Sequence, residues 1–333
     1  MSVVPCSRSP WPLVTAAFVA LAAGRTVGGA EPTGVVVLVD RGPPVADLAV
    51  PANGQAVFCL DADSGGVVAI DPGGPGQPRH VVGAAPADGP RPQAIACIDT
   101  NTLAAVCRSD GRWSLRTWRL RPDAAVEFTA PLQEVALGEA AASPGQVQLL
   151  VGQARDWLAV AGLPAPLPPL VRGPIARASV GRFSARGCPA PPEGGTVVAV
   201  AASPVDETVL FLARPASPAV AFHGLSGRTL LELDSDLPLV RDAACCRSDG
   251  TLWAVGGDRA ARDRPEGLWR IDAAFTGGRQ VVQPTCVARL AAPRAVACVT
   301  DSAVVVAHGA EGRTVIRYDL AARKTAAGEE KGP

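Results

Sequence analysis

The side chains with the greatest chemical reach in this sequence fall in turns. Asp99, Asn101, Asp206, Glu207 and Asp301 each follow a run of small apolar residues. Oxygen ligands at such positions are those that hold a divalent cation, which polarises a carbonyl and activates water. Asp61-Ala62-Asp63-Ser64-Gly65 has the alternating acidic pattern of a calcium loop, which makes Ca2+ the one cofactor to consider; none is otherwise expected. That stretch lacks the later glutamate and a third acidic ligand, and a turn stabilised by Asp and Gly accounts for it more simply. The three histidines, His80, His223 and His308, show no zinc-site spacing, and no C-x-x-C-H haem motif occurs. Gly224-Leu225-Ser226-Gly227 is one residue short of a hydrolase nucleophile elbow.

A second chemical feature is the segment 163–195. It holds eight prolines together with Arg172, Arg177, Arg182 and Arg186, and no acidic residue before Glu193. Long loops in compact domains often carry function, and these guanidinium groups suit an acidic partner or a carboxylate. The plainer reading is a solvated insertion that also supplies an outer strand around Ala176 to Phe183.

The elements that must position these residues come from a repeat. A run of small apolar residues, a turn and a run of larger apolar residues starts near Ala46, Pro92, Glu139, Val197, Arg241 and Pro293. The copies recur roughly every 45 to 58 residues, the period of solenoids, propellers and arrays. Most copies continue with two further strand-like segments, such as Gly65 to Asp71 and His80 to Ala85 after the first, and Arg112 to Leu120 and Ala125 to Ala130 after the second. Four strands per repeat is the make-up of a propeller blade, and small residues in the first strand suit the crowded inner end of a wedge. The sixth copy has only a third strand, Thr314 to Leu320, while Val35 to Val39 stands alone before the first hairpin. Pairing these two segments closes a six-bladed β-propeller and removes two exposed sheet edges; seven blades is the alternative.

Phe58-Cys59-Leu60-Asp61, the segment from Ser64 to Asp71, and Arg247-Ser248-Asp249-Gly250-Thr251-Leu252-Trp253 resemble blades of the secreted bacterial β-propeller repeat proteins related to the YVTN and lactonase-like groups. That resemblance implies a propeller over residues 31–320, but such folds host enzymes, receptors and scaffolds alike. The leading expectation is an exported, non-catalytic binding or scaffold module for a protein or small ligand. The alternative is a divalent-metal-dependent, lactonase-like hydrolase with its site at the channel mouth. Sugar binding is disfavoured by scarce aromatics and a lone tyrosine, Tyr318, and the tryptophan-rich docking motifs of a quinone-cofactor dehydrogenase are not repeated.

Composition narrows the remaining classes. Hydrophobic residues make up 48% of the chain, which excludes disorder, and 32 prolines with 35 glycines imply many turns and few long helices. The formal charge is zero, so no global field attracts nucleic acid or an anionic membrane. Arg8, the apolar stretch from Trp11 to Ala23 and the small residues Gly28-Gly29-Ala30 form the pattern of a signal peptide over 1–30. Export to the periplasm or beyond, no membrane insertion after cleavage, a flexible tail over 321–333 and a monomeric state are the corresponding expectations. Eight cysteines would remain after cleavage, and their places in apolar strands suit compact buried hydrophobes better than a disulfide framework.

Overall fold

The structure, a computed structural model, describes residues 32–141, most of 147–174, the strand segments between 186 and 245, and most of 251–320. The segment 1–30 expected to be a signal peptide and the expected tail 321–333 lie outside the described residues.

A leading strand, β1 (Pro32–Val39), precedes the first repeat, β2 (Val45–Ala49), β3 (Val57–Asp61), β4 (Val67–Ile70) and β5 (Arg79–Val82). The second repeat is β6 (Arg91–Cys97), β7 (Thr102–Ser109), β8 (Arg112–Arg119) and β9 (Gln133–Glu139). The third is β10 (Gln148–Val151), β11 (Trp157–Ala161), β12 (Leu170–Pro174) and β13 (Arg186–Gly187), and the fourth is β14 (Ala199–Ala202), β15 (Val209–Ala213), β16 (Ala219–Gly224) and β17 (Thr229–Asp234). The fifth is β18 (Val240–Cys245), β19 (Leu252–Gly256), β20 (Gly267–Thr276) and β21 (Arg279–Arg289). The last comprises β22 (Ala295–Thr300), β23 (Ala303–His308) and β24 (Thr314–Leu320). Among the described residues these strands form six four-stranded antiparallel sheets, five of them in sequence order and the last ordered β1-β24-β23-β22. The expected partner of the orphan strand is therefore found: Val35 lies opposite Tyr318, Val36 opposite Arg317 and Val37 opposite Ile316.

The second strands β3, β7, β19 and β23 are buried on both faces along most of their length, so they read as largely unbroken apolar runs. Their alternate residues enter different interfaces. On β3, Val57 and Cys59 pack with Leu38, Val305 and Val315 of the last sheet, whereas Phe58 and Leu60 pack with Ile95, Leu103 and Trp118 of the second. On β7, Leu103, Ala105 and Cys107 face the first sheet, while Ala104 and Val106 face the third. The core is thus a set of seams between sheets. First strands neighbour one another in sequence: β2 lies beside β6, β6 beside β10, β10 beside β14, β14 beside β18 and β18 beside β22, and β22 returns to β2.

Three expectations are corrected. The third repeat is out of frame in the sequence reading: its first strand is β10, and the residues Glu139 to Ala141 that look like a small inner strand end the second sheet. Ala140 is held there by Gly111, whose carbonyl accepts its N–H. The second sheet's outer strand is β9 rather than Ala125 to Ala130, from which only Val126 forms a bridge, to Val82. The third sheet's outer strand is Arg186–Gly187, beyond the expected span; residues 175–185 lie outside the described residues.

Candidate functional site

Every first strand is hydrogen-bonded within its sheet along one edge only, so the other edge carries N–H groups that need partners elsewhere. Two aspartates meet this need. Asp47 of β2 accepts the N–H of Leu48 at Oδ1 and, from the neighbouring sheet, the N–H of Ile95 at Oδ2, both at 2.8 Å. Asp242 of β18 repeats the arrangement: Oδ1 accepts the Ala243 N–H at 2.9 Å and Oδ2 accepts the Val296 N–H of the last sheet at 2.8 Å. Gln148 of β10 donates from Nε2 to Asp242 Oδ1 at 2.5 Å. Gln148 and Asp242 therefore meet although 94 positions separate them, and Asp47 lies near enough for its charge to act on Asp242.

Electrostatics follow from this placement. Asp242 and Gln148 are buried, and Asp47 is partly buried. Burial pushes the Asp242 carboxyl up to about 8, with the Asp47 charge adding to the rise and the N–H donors of Val296, Ala243 and Gln148 opposing it. Burial likewise raises Asp47 to about 6 against the N–H groups of Ile95 and Leu48. Among the described residues no cationic side chain offsets either carboxyl. Gln148 turns its amide N–H to Asp242, and four backbone N–H groups point at the two carboxyls. These N–H donors favour the ionised carboxylates while burial favours the protonated form, and donors of this kind do not fit a divalent cation.

The residues singled out in the sequence lie elsewhere. Asp99 and Asn101 are exposed in the β6–β7 turn, where the Asp99 carboxylate accepts the Asn101 N–H at 2.7 Å. Ala94 is the residue of β6 in register with Asp47, so Asp99 lies five residues farther along, about 16 Å toward the opposite end of the strand. Asp206, Glu207 and Asp301 lie outside the described residues, as do Arg177 and Arg182. Arg172 and Arg186 sit opposite each other on β12 and β13. Asp61 caps its turn, accepting the N–H groups of Asp63 and Ser64 at 2.8 and 3.3 Å and the Ser64 hydroxyl at 2.6 Å. Asp110 and Gly111, both at positive φ, form the two-residue turn joining β7 to β8, which a Asp-Gly pair favours. His308 is half-buried, and burial lowers its pKa while a hydrogen bond to the Ala291 backbone opposes that. Cys59, Cys107 and Cys286 are free thiols, the first two buried.

A groove of about 780 Å3 opens between the β1–β2 turn and the β4–β5 connection. Asp40, Arg41, Gln77, Pro78 and Arg313 line it. Arg313 is engaged by Glu311 at 2.7 Å and by the Gly42 carbonyl, whereas Arg41 makes no ion pair among the described residues.

No protein-family model and no curated protein matches the chain. Solved structures do. The PQQ-bound form of an aldose sugar dehydrogenase from Streptomyces coelicolor aligns over 87% of this chain and all of its own, with a TM-score of 0.56 at 14% identity. A structural-genomics protein of unknown function from Bacteroides thetaiotaomicron aligns over 87% of this chain and 73% of its own, with a TM-score of 0.57 at 11% identity. At such identities the likeness concerns the fold, which is β-propeller-like and built of four-stranded antiparallel sheets.

Proposed function

We propose that this chain is an exported, non-catalytic β-propeller of six blades, closed by the β1–β24 pairing, that serves as a binding or scaffold module. The cyclic succession of first strands supports the ring, and the six sheets support the blade number. Export rests on the signal-like segment at 1–30. The observation that carries the binding reading is the groove beside Arg41, which presents a guanidinium without a carboxylate partner among the described residues. Such a group, pointing into a polar concavity with Gln77 and Arg313 nearby, fits the carboxylate of an acidic protein segment or small acid. Arg172, Arg177, Arg182 and Arg186 are the sequence's other candidates for the same class of partner.

Fluorescence anisotropy with a labelled oligoglutamate peptide tests this reading. Binding is expected to weaken with salt and to fall about tenfold or more in Arg41→Glu, equivalent to at least about 1.4 kcal/mol. Unchanged affinity in that variant discards the groove. Turnover of a lactone panel that is abolished by chelation overturns the non-catalytic assignment.

A further inference from the structure

In register along the six first strands stand Asp47, Ala94, Gln148, Ala199, Asp242 and Ala295. Polar residues alternate with alanine around the series. The polar ones belong to the first, third and fifth sheets; Gln148 and Asp242 meet in a hydrogen bond, and Asp47 lies near enough for its charge to reach Asp242. Each aspartate also ties its own sheet to the next, Asp47 through Ile95 and Asp242 through Val296. These bonds tie the first sheet to the second, and the third and the last to the fifth, and among the described residues the two acids are met by N–H donors alone.

We propose that Asp47 and Asp242 form a proton-dependent clamp on the inner strands: the folded pair retains a proton at neutral pH, and its loss in alkaline solution loosens the seams that the two side chains staple. Among the described residues the charged side chains nearby turn to other partners. Cys59 on β3 lies near enough to Asp47 for that charge to raise its thiol further. Arg91 on β6 turns to the carbonyls of Ala62 and Asp63, and Arg241 on β18 turns to Glu266 and the Pro293 carbonyl. Asp61 of β3 caps its own turn, Glu311 pairs with Arg313, and His308 of β23 bonds the Ala291 backbone. Cys97, Cys245 and Cys298 stand three residues farther along β6, β18 and β22, and β10, β14 and β19 carry no ionisable residue. Partial exposure of Asp47 lets solvent exchange the proton.

The sign follows from linkage. Unfolded carboxyls release their protons near pH 4, whereas the folded pair retains them to about 6 for Asp47 and about 8 for Asp242. Stability contributed by the pair is therefore greatest in acid, falls as pH rises through this window and is constant above it.

The test uses the full chain and two readouts. Chemical unfolding between pH 5 and 9 is expected to show an unfolding constant that rises up to about tenfold per pH unit for each proton the folded state retains. Asp242→Asn, which cannot titrate, is expected to flatten this rise above pH 6, and Asp47→Asn to reduce its lower part. Isotope-edited infrared spectroscopy of the wild type is expected to show a protonated carboxyl at pH 7 that disappears by pH 9, a measurement that holds even if a variant fails to fold. Absence of that band at pH 7, or the same pH dependence in wild type and Asp242→Asn, overturns the clamp.

Discussion

Truncating Leu38 to alanine isolates the contribution of the leading strand. Leu38 is 1% exposed and packs at the seam with Val45, Leu48 and Val57 of the first sheet and with Val305 and Val315 of the last. Its neighbours on the same strand, Val35 and Val37, are 59% and 47% exposed. A buried leucine cut to alanine loses its transfer free energy and leaves a cavity, together about 3 kcal/mol. Unfolding entropy of about 2.1 cal/mol/K per residue over roughly 290 residues turns this into a fall of about 5 °C in the melting midpoint. Replacing Val35 or Val37 by threonine is expected to stay within about 0.5 kcal/mol, because neither side chain is buried. Urea unfolding at fixed pH measures all three variants, with an unchanged m-value confirming that stability rather than compactness has moved. A loss below about 1 kcal/mol for Leu38→Ala, or equal losses in all three, would refute the view that β1 completes the last sheet and seals it against the first.

Three other outcomes follow from the same geometry. Asp61→Ala removes an acceptor used by Asp63, by the Ser64 N–H and by the Ser64 hydroxyl, and is expected to cost about 1–2 kcal/mol in thermal unfolding. Among the described residues the buried Trp118 indole N–H has no partner, so Trp118→Phe is expected to change stability by less than about 1 kcal/mol while Trp118→Ala costs about 3–5. Burial pushes the Cys107 thiol up to about 12 and raises Cys59 as well, so neither is expected to react with iodoacetamide at pH 8 until denaturant is added, whereas Cys286, also raised by burial but partly exposed, is expected to label slowly in the native protein; peptide mass spectrometry reads the pattern.

Pairing of Val35 to Val39 with Thr314 to Leu320 was legible because it rested on arithmetic: one repeat lacked a strand and one strand lacked a repeat. The tight Asp110-Gly111 turn was legible because only a few residue types tolerate positive φ in succession. Asp47 and Asp242 were not. Each is a single acid in an apolar strand, indistinguishable in sequence from a residue on a solvated face. Gln148 was hidden further, since an alanine run at the end of the second sheet imitated the third inner strand and shifted the frame. The turn acids drew attention instead, although Asp99, the one described, is carried by β6 toward the opposite end. A register alignment of the six first strands, with polar residues alternating with alanine, was the signal that could have found the cluster.

By itself the sequence determined the local units: the period of the repeat, the strands and turns within it, and the complementary ends of the chain, all of which depend on near neighbours and on apolar patterning. Only the tertiary structure decided which polar residues meet. Convergence is a property of the arrangement of sheets, which brings together positions 47, 148 and 242, leaves one edge of each inner strand in need of partners, and buries two carboxyls where a proton is the charge-balancing partner we infer.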